Sequence, residues 1–292
     1  MQPWIATAIA VLAVAGAVFL YSRRNGVFAL SALESNRGYS TGRLALYVAG
    51  VIAFFCCWVV LSSRWPTGYT RVPAPTRVAV QLYESAVAGE LFKAIGISAL
   101  RVAIGFGAAA ILGTMIGLVA GTYAAVGRLV LPTASFFRYI PPTVFVTLLI
   151  VYFGIGNVYK YSIVFVGVFF FILQMTVDAV RQVDRAYIEM ALVSGVKRVR
   201  LLDQMMIRAT APTIVDILRV NLSGAWTFLV LAEVVGAQGG LGHMIAIGQR
   251  FGRIESVYAA IFSFGVIGIA SDMALQLLRR WLFRWSSLAT RV

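Results

Sequence analysis

The chain has 292 residues, of which 60% are hydrophobic and 12% charged, with a net charge of +14. A water-soluble domain carries about a quarter charged residues, so this composition excludes one. The apolar runs approach 20 residues and do not alternate, which excludes a membrane β-barrel and leaves an all-α integral membrane protein.

The positive charge sits at the ends of the apolar runs, the pattern that holds loops on the cytoplasmic side. It does not form the clustered stripe of a nucleic-acid-binding protein. One histidine, His243, and two adjacent cysteines inside an apolar run, Cys56 and Cys57, do not make a metal site.

The first apolar run covers residues 3–21 and is followed by Arg23 and Arg24. A signal peptide carries its positive charge before the apolar core. The order here predicts a retained span with its N-terminus outside. The second run, 44–61, follows Arg37 and Arg43 and runs back out. A polar loop then carries Pro73 and Pro75, and 78–95 has the spacing of an amphipathic helix lying on the surface. Arg64, Arg71, Arg77 and Lys93 in this loop run against an outer placement.

The third run, 97–123, repeats small residues every fourth position: Gly105, Ala109, Gly113, Gly117 and Gly121. That puts them on one helix face, where another helix can approach closely. The fourth run, 129–153, contains Pro141 and Pro142, which must break or kink it. The fifth covers 159–180, the sixth 213–236 and the seventh 256–279, before a basic aromatic end, "RRWLFRW". Seven crossings from an outside start leave the C-terminus and the 184–212 insert in the cytoplasm.

That insert is charged and amphipathic. Ile188, Leu192, Val196, Val199, Leu202 and Met206 recur at helical spacing, and Gly195 interrupts them, predicting two short helices meeting at a turn. Periodicity leaves two readings open. The insert packs on the bundle's own ends, or it presents a docking surface to a cytoplasmic partner.

Glu189, Met190, Ala191 and Gly195, with Met205 and Ile207 further on, resemble the cytoplasmic coupling loop (the EAA loop) of ABC-importer permeases. Met190 and Arg208 depart from that pattern, and Pro212 matches its later proline. The likeness extends through "SALR" at the head of the glycine-rich run, "RYIPP" and "FGIG", then "GAWTFLVLAE" and "GGLG", and the Asp of the closing run, covering 65–285. These segments are similar to the nitrate/sulfonate/taurine branch of binding-protein-dependent permeases.

The resemblance implies a type I ABC importer transmembrane domain, with a six-span core plus one extra N-terminal span. It assigns 1–42 to that addition, 43–285 to the permease domain and 286–292 to a tail. It implies a second permease chain, as a homodimer, in a bacterial inner membrane. It also implies a periplasmic or lipid-anchored binding protein and a small anionic solute. The chain has no G-x-x-x-x-G-K-[ST] phosphate loop. ATP and Mg²⁺ are therefore expected on separate ATP-binding subunits and no cofactor on this chain.

Coupling to those subunits is expected at Glu189, Ala191, Gly195, Lys197 and Arg198. Glu189 contacts the ATPase, caps its helix or is simply solvated. Lys197 and Arg198 anchor at headgroups or contact the ATPase.

Polar groups within spans are costly and usually face the bundle interior. Gln174 and Asn221 are the candidates for the substrate path. Glu233 and Asp272 are expected to pair with basic groups. Arg138 and Arg219 are expected to anchor at the interface, and His243 to lie in an exposed outer loop. The alternative is a secondary transporter or channel with no ATPase, which predicts an internal inverted repeat or paired broken helices. One proline-broken run and no clear repeat argue against it.

Overall fold

The structure, a computed structural model, describes residues 40–64, 72–195, 200–201, 205–236 and 238–283. The expected first span at 3–21, the tail at 286–292, and Lys197 and Arg198 lie outside the described residues. Among the described residues there is no strand. The order is α1 (Ser40–Arg64), α2 (Pro75–Val87), α3 (Glu90–Thr122), α4 (Ala124–Tyr139), α5 (Pro142–Phe153), α6 (Asn157–Arg181), α7 (Arg185–Val193), α8 (Ile207–Val235), α9 (Leu241–Arg250) and α10 (Ile254–Leu282). Helices α3, α6, α8 and α10 are each long and apolar enough to cross a membrane.

Helices α4 and α5 make a fifth crossing only as a bent pair, with 94° between them. The cause is local. Ile140 precedes Pro141 and is extended (φ −81°, ψ 121°), as a residue before proline prefers. Pro142 then opens α5 within its first turn, where a missing N–H costs nothing. In α1 the apolar stretch is the shorter Gly50–Ser63. Trp58 ties α1 down: its ring stacks on Tyr258 at 6.1 Å, and its indole N–H donates to the Pro73 carbonyl at 3.0 Å.

The surface helix expected over 78–95 is not one helix. It divides at Gly89, whose φ of +75° is left-handed and ends α2. Residues from Glu90 onward are the first turns of the long span α3, with Leu91 and Ala94 buried against Leu241. An amphipathic period running across both pieces hid the break.

The centre of the molecule is the pairing of α3 with α6, closed over by α8. Lipid tails are as apolar as leucine, so close backbone approach is what holds such a pair. A Cβ on Gly105 would lie 2.7 Å from the Tyr161 carbonyl oxygen, and one on Gly117 2.7 Å from Thr176 Cβ. Gly113 and Gly121 meet Ile172 and Val180 in the same way, and Ala109 is fully buried between them. Gly117→Ala is therefore expected to cost about 1–3 kcal/mol by overpacking. Gly107→Ala, with nothing within 4 Å of the new atom, is the neutral control. Thermal unfolding of both variants in detergent reads the difference.

At one end of the bundle, Met206 packs with Leu118 of α3, Val180 of α6 and Ile214 of α8. Ile188 of α7 rests against this cluster. At the other end, the chain after α8 turns through Gly239 and Gly240 (φ +75° and +101°) into α9. Leu241, Ile245 and Gly248 of α9 are buried. His243 is thus a half-buried residue on a helix, not part of an exposed loop as expected. Two glycines read as loop punctuation, yet here they are the sharp turn that starts a helix.

Candidate functional site

Two polar regions stand at opposite ends of the α3–α6–α8 core. The first is α7. Asp184 caps it by accepting from the Ala186 backbone N–H at 3.0 Å. Ile188 faces the bundle. Tyr187, Met190 and Val193 point away and are 59%, 61% and 89% exposed. Three apolar side chains at three-residue spacing on so short a helix are a surface in want of a cover. Glu189 is exposed beside them and Ala191 half-buried. Gly195 follows with φ +88°, and among the described residues nothing lies within 4 Å of where a Cβ would stand.

The second region is a buried tie between four segments. Arg101 of α3 is 3% exposed and Glu233 of α8 is fully buried. Arg101 Nη1 donates to Glu233 Oε1 at 2.6 Å and to the Gly239 carbonyl at 2.7 Å. Its Nη2 donates to Asn157 Oδ1 at 2.8 Å and to the Gln238 carbonyl at 3.0 Å. Its Nε donates to Asn157 Oδ1 at 3.1 Å, so every guanidinium N–H is used.

Glu233 also accepts from Ser98 Oγ at 2.9 Å and from the Gly242 backbone N–H at 2.8 Å. Ser98 in turn accepts from the Leu241 N–H at 2.9 Å. A Cβ on Gly240 or Gly242 would stand 2.4 Å from Glu233 atoms. The "GGLG" stretch is therefore shaped by the carboxylate it wraps.

Glu233 does pair with a basic group, but sequence reasoning did not find which one. Arg101 lies far away in the chain. The available signal was Ser98 and Arg101 at three-residue spacing on a span that must bury them. Lys160 was missed altogether. It is fully buried beside Tyr159, with its Nζ 5.6 Å from that ring's centroid and no hydrogen-bond partner among the described residues.

Asp272 also pairs. Its Oδ1 accepts from Arg219 Nε at 3.0 Å and its Oδ2 from Nη2 at 2.9 Å, a fork-to-fork bond. Asp216 bridges Arg219 (3.6 Å) to Arg279 (3.0 Å). Arg219 thus ties α8 to α10, where an interfacial anchor was expected. The network borders a groove of about 720 Å³ that Ser223 and Thr227 also line.

Gln174 and Asn221 lie apart from this groove. Asn221 Nδ2 donates to the Ile217 carbonyl at 2.8 Å and lies 3.3 Å from Met175 Sδ across on α6. Gln174 donates to Asp178 at 3.3 Å, and its Oε1 is buried without a partner.

Among the described residues the chain is an all-helical bundle with several apolar crossings, a helical insert at one end and a charged tie at the other, the class of a multi-pass membrane protein. The family of binding-protein-dependent transport system inner membrane components matches over residues 113–284, and the chain belongs to it. A putative aliphatic sulfonates transport permease, SsuC of Bacillus subtilis, is 32% identical over 78% of this chain and 83% of its own length. The bicarbonate transport permease CmpB of Synechococcus elongatus is 28% identical over 90% of this chain and 97% of its own length.

The fold is that of a chain of the inward-facing MetNI methionine ABC transporter. That match has a TM-score of 0.55 at 19% identity and covers 67% of this chain and 97% of that one. The resemblance to ABC permeases read from the sequence therefore holds. The protein is a multi-pass inner-membrane transport component and not itself an enzyme. Its family works with ATP-binding subunits and a substrate-binding protein. A transporter without an ATPase is set aside.

Proposed function

We propose that two copies of this chain form the translocation path for a small anion of the sulfonate, nitrate or taurine type. ATP-binding subunits carrying ATP and Mg²⁺ drive it by docking on α7. The observation that carries the docking is the outward face of Tyr187, Met190 and Val193, uncovered on a helix whose other side is seated on the bundle. The anionic solute is supported by the relatives, named for aliphatic sulfonates and for bicarbonate.

In this reading the 184–212 insert and the C-terminus are cytoplasmic, the N-terminus is outside, and a periplasmic or lipid-anchored protein delivers the solute. Glu189, Ala191 and Gly195, with Lys197 and Arg198, meet the ATPase. Gln174 and Asn221, on the facing helices α6 and α8, line the path.

The test is purification of the chain from its host in mild detergent, with mass spectrometry of what accompanies it. An ATPase bearing a phosphate loop is expected. Met190→Asp/Val193→Asp is expected to lose at least about tenfold of it, because two charges replace the apolar contact. Undiminished ATPase recovery in that variant removes α7 as the dock.

A further inference from the structure

At the end of the bundle away from α7, a cavity of about 420 Å³ opens between α2, α3, α9 and the start of α10. It borders Gly239 and Gly240 of the charged tie but uses none of the tie's side chains. Its polar lining includes Gln81, Ser85, Glu90, Lys93, Arg253 and Ser256, with His243 beside them. That volume accommodates a small ion and some water.

Charge and hydrogen bonding point the same way. Lys93 and Arg253 bring two cations and Glu90 one acid, and among the described residues none of the three is in an ion pair. One positive charge is left over in a cavity whose remaining walls include Ala94, Ile97 and Met244.

Ser85 is 5% exposed, and its oxygen accepts from Gln81 Nε2 at 3.1 Å, which leaves its own O–H to donate. The His243 ring belongs to the cavity lining on α9, while its Nδ1 is closed off from solvent and has no partner among the described residues.

We propose that this cavity binds one small oxyanion, a sulfonate or carboxylate group. Lys93 and Arg253 supply the charge and Ser85 a hydrogen bond, and the His243 ring in the lining reports occupancy. The site stands on α2, α3 and α9 and is separate from the α6–α8 path. It therefore does not depend on which solute crosses the membrane. The same chemistry is carried by a free solute anion and by a lipid headgroup phosphate, and the free anion is the occupant proposed.

His243 is the only histidine in the chain. Labelling histidine with ¹³C and ¹⁵N in full-length protein without a histidine tag therefore gives a single imidazole signal set. The protein is held in maltoside micelles, which contain no oxyanion, at one fixed pH. It is titrated with sodium methanesulfonate against sodium chloride at matched ionic strength.

A saturable shift specific to methanesulfonate is expected. In Lys93→Ala/Arg253→Ala its midpoint is expected to move to about tenfold higher concentration or beyond. Both residues are exposed, so the fold is not at risk. No saturable shift, an equal shift with chloride, or an unchanged midpoint in the double variant overturns the proposal. A shift produced by phosphatidylglycerol and not by methanesulfonate assigns the cavity to a headgroup and overturns the free-anion occupant.

Discussion

Arg101→Met is expected to destabilise the protein by about 3–5 kcal/mol, the largest effect of any single change in the bundle. Glu233 is fully buried, and the substitution leaves it with only hydroxyl and amide donors. Asn157 and two backbone carbonyls lose their donor at the same time. Glu233→Gln is expected to be milder, at about 1–3 kcal/mol, because Arg101 keeps three other acceptors.

The double variant Arg101→Met/Glu233→Gln is expected to be more stable than Arg101→Met alone, since no buried charge is then left unpaired. Thermal unfolding in detergent measures all three. Wild-type stability in Arg101→Met would mean that the tie contributes nothing to holding the four segments together.

Gly195→Leu is expected to cut solute uptake by about tenfold or more while ATP hydrolysis continues in the assembled complex. Gly195 has φ +88°, and leucine pays about 1–2 kcal/mol in that conformation. Among the described residues nothing lies within 4 Å of the added Cβ, so folding and membrane insertion are expected to survive. The damage falls on the turn and on what approaches it.

Gly195→Asn separates the two effects. Asparagine tolerates the left-handed conformation, so it restores the turn while keeping a side chain. Uptake close to wild type in Gly195→Asn assigns the loss to backbone geometry, and low uptake assigns it to crowding at the partner. Normal uptake in Gly195→Leu removes the coupling role.

Local chemistry was legible in the sequence where prolines and regular glycine spacing decided the structure. Pro141–Pro142 announces the bend between α4 and α5, because proline's missing donor acts within one turn. The four-residue glycine spacing announces a small face on α3. What it met, α6, could not be read, because the partner of a helix face is set by tertiary packing.

The same limit applies to the tie. Glu233 in an apolar run demands a cation, but several arginines could answer, and only the folded chain selects Arg101. Helix α9 was missed for a different reason. Its ten residues follow two glycines, and a short pattern behind a turn signal reads as loop.

The glycine seam has a mechanical consequence. Helix α3 has 33 residues, about 50 Å at 1.5 Å per residue. It touches the α7 cluster through Leu118 near one end and holds Arg101, its twelfth residue, toward the other. Between those points its backbone lies against α6 with no spare volume to absorb a push. Two rods in such contact behave as a single strut. A push on α7 of the kind proposed above is expected to reach the Arg101–Glu233 joint through this contact.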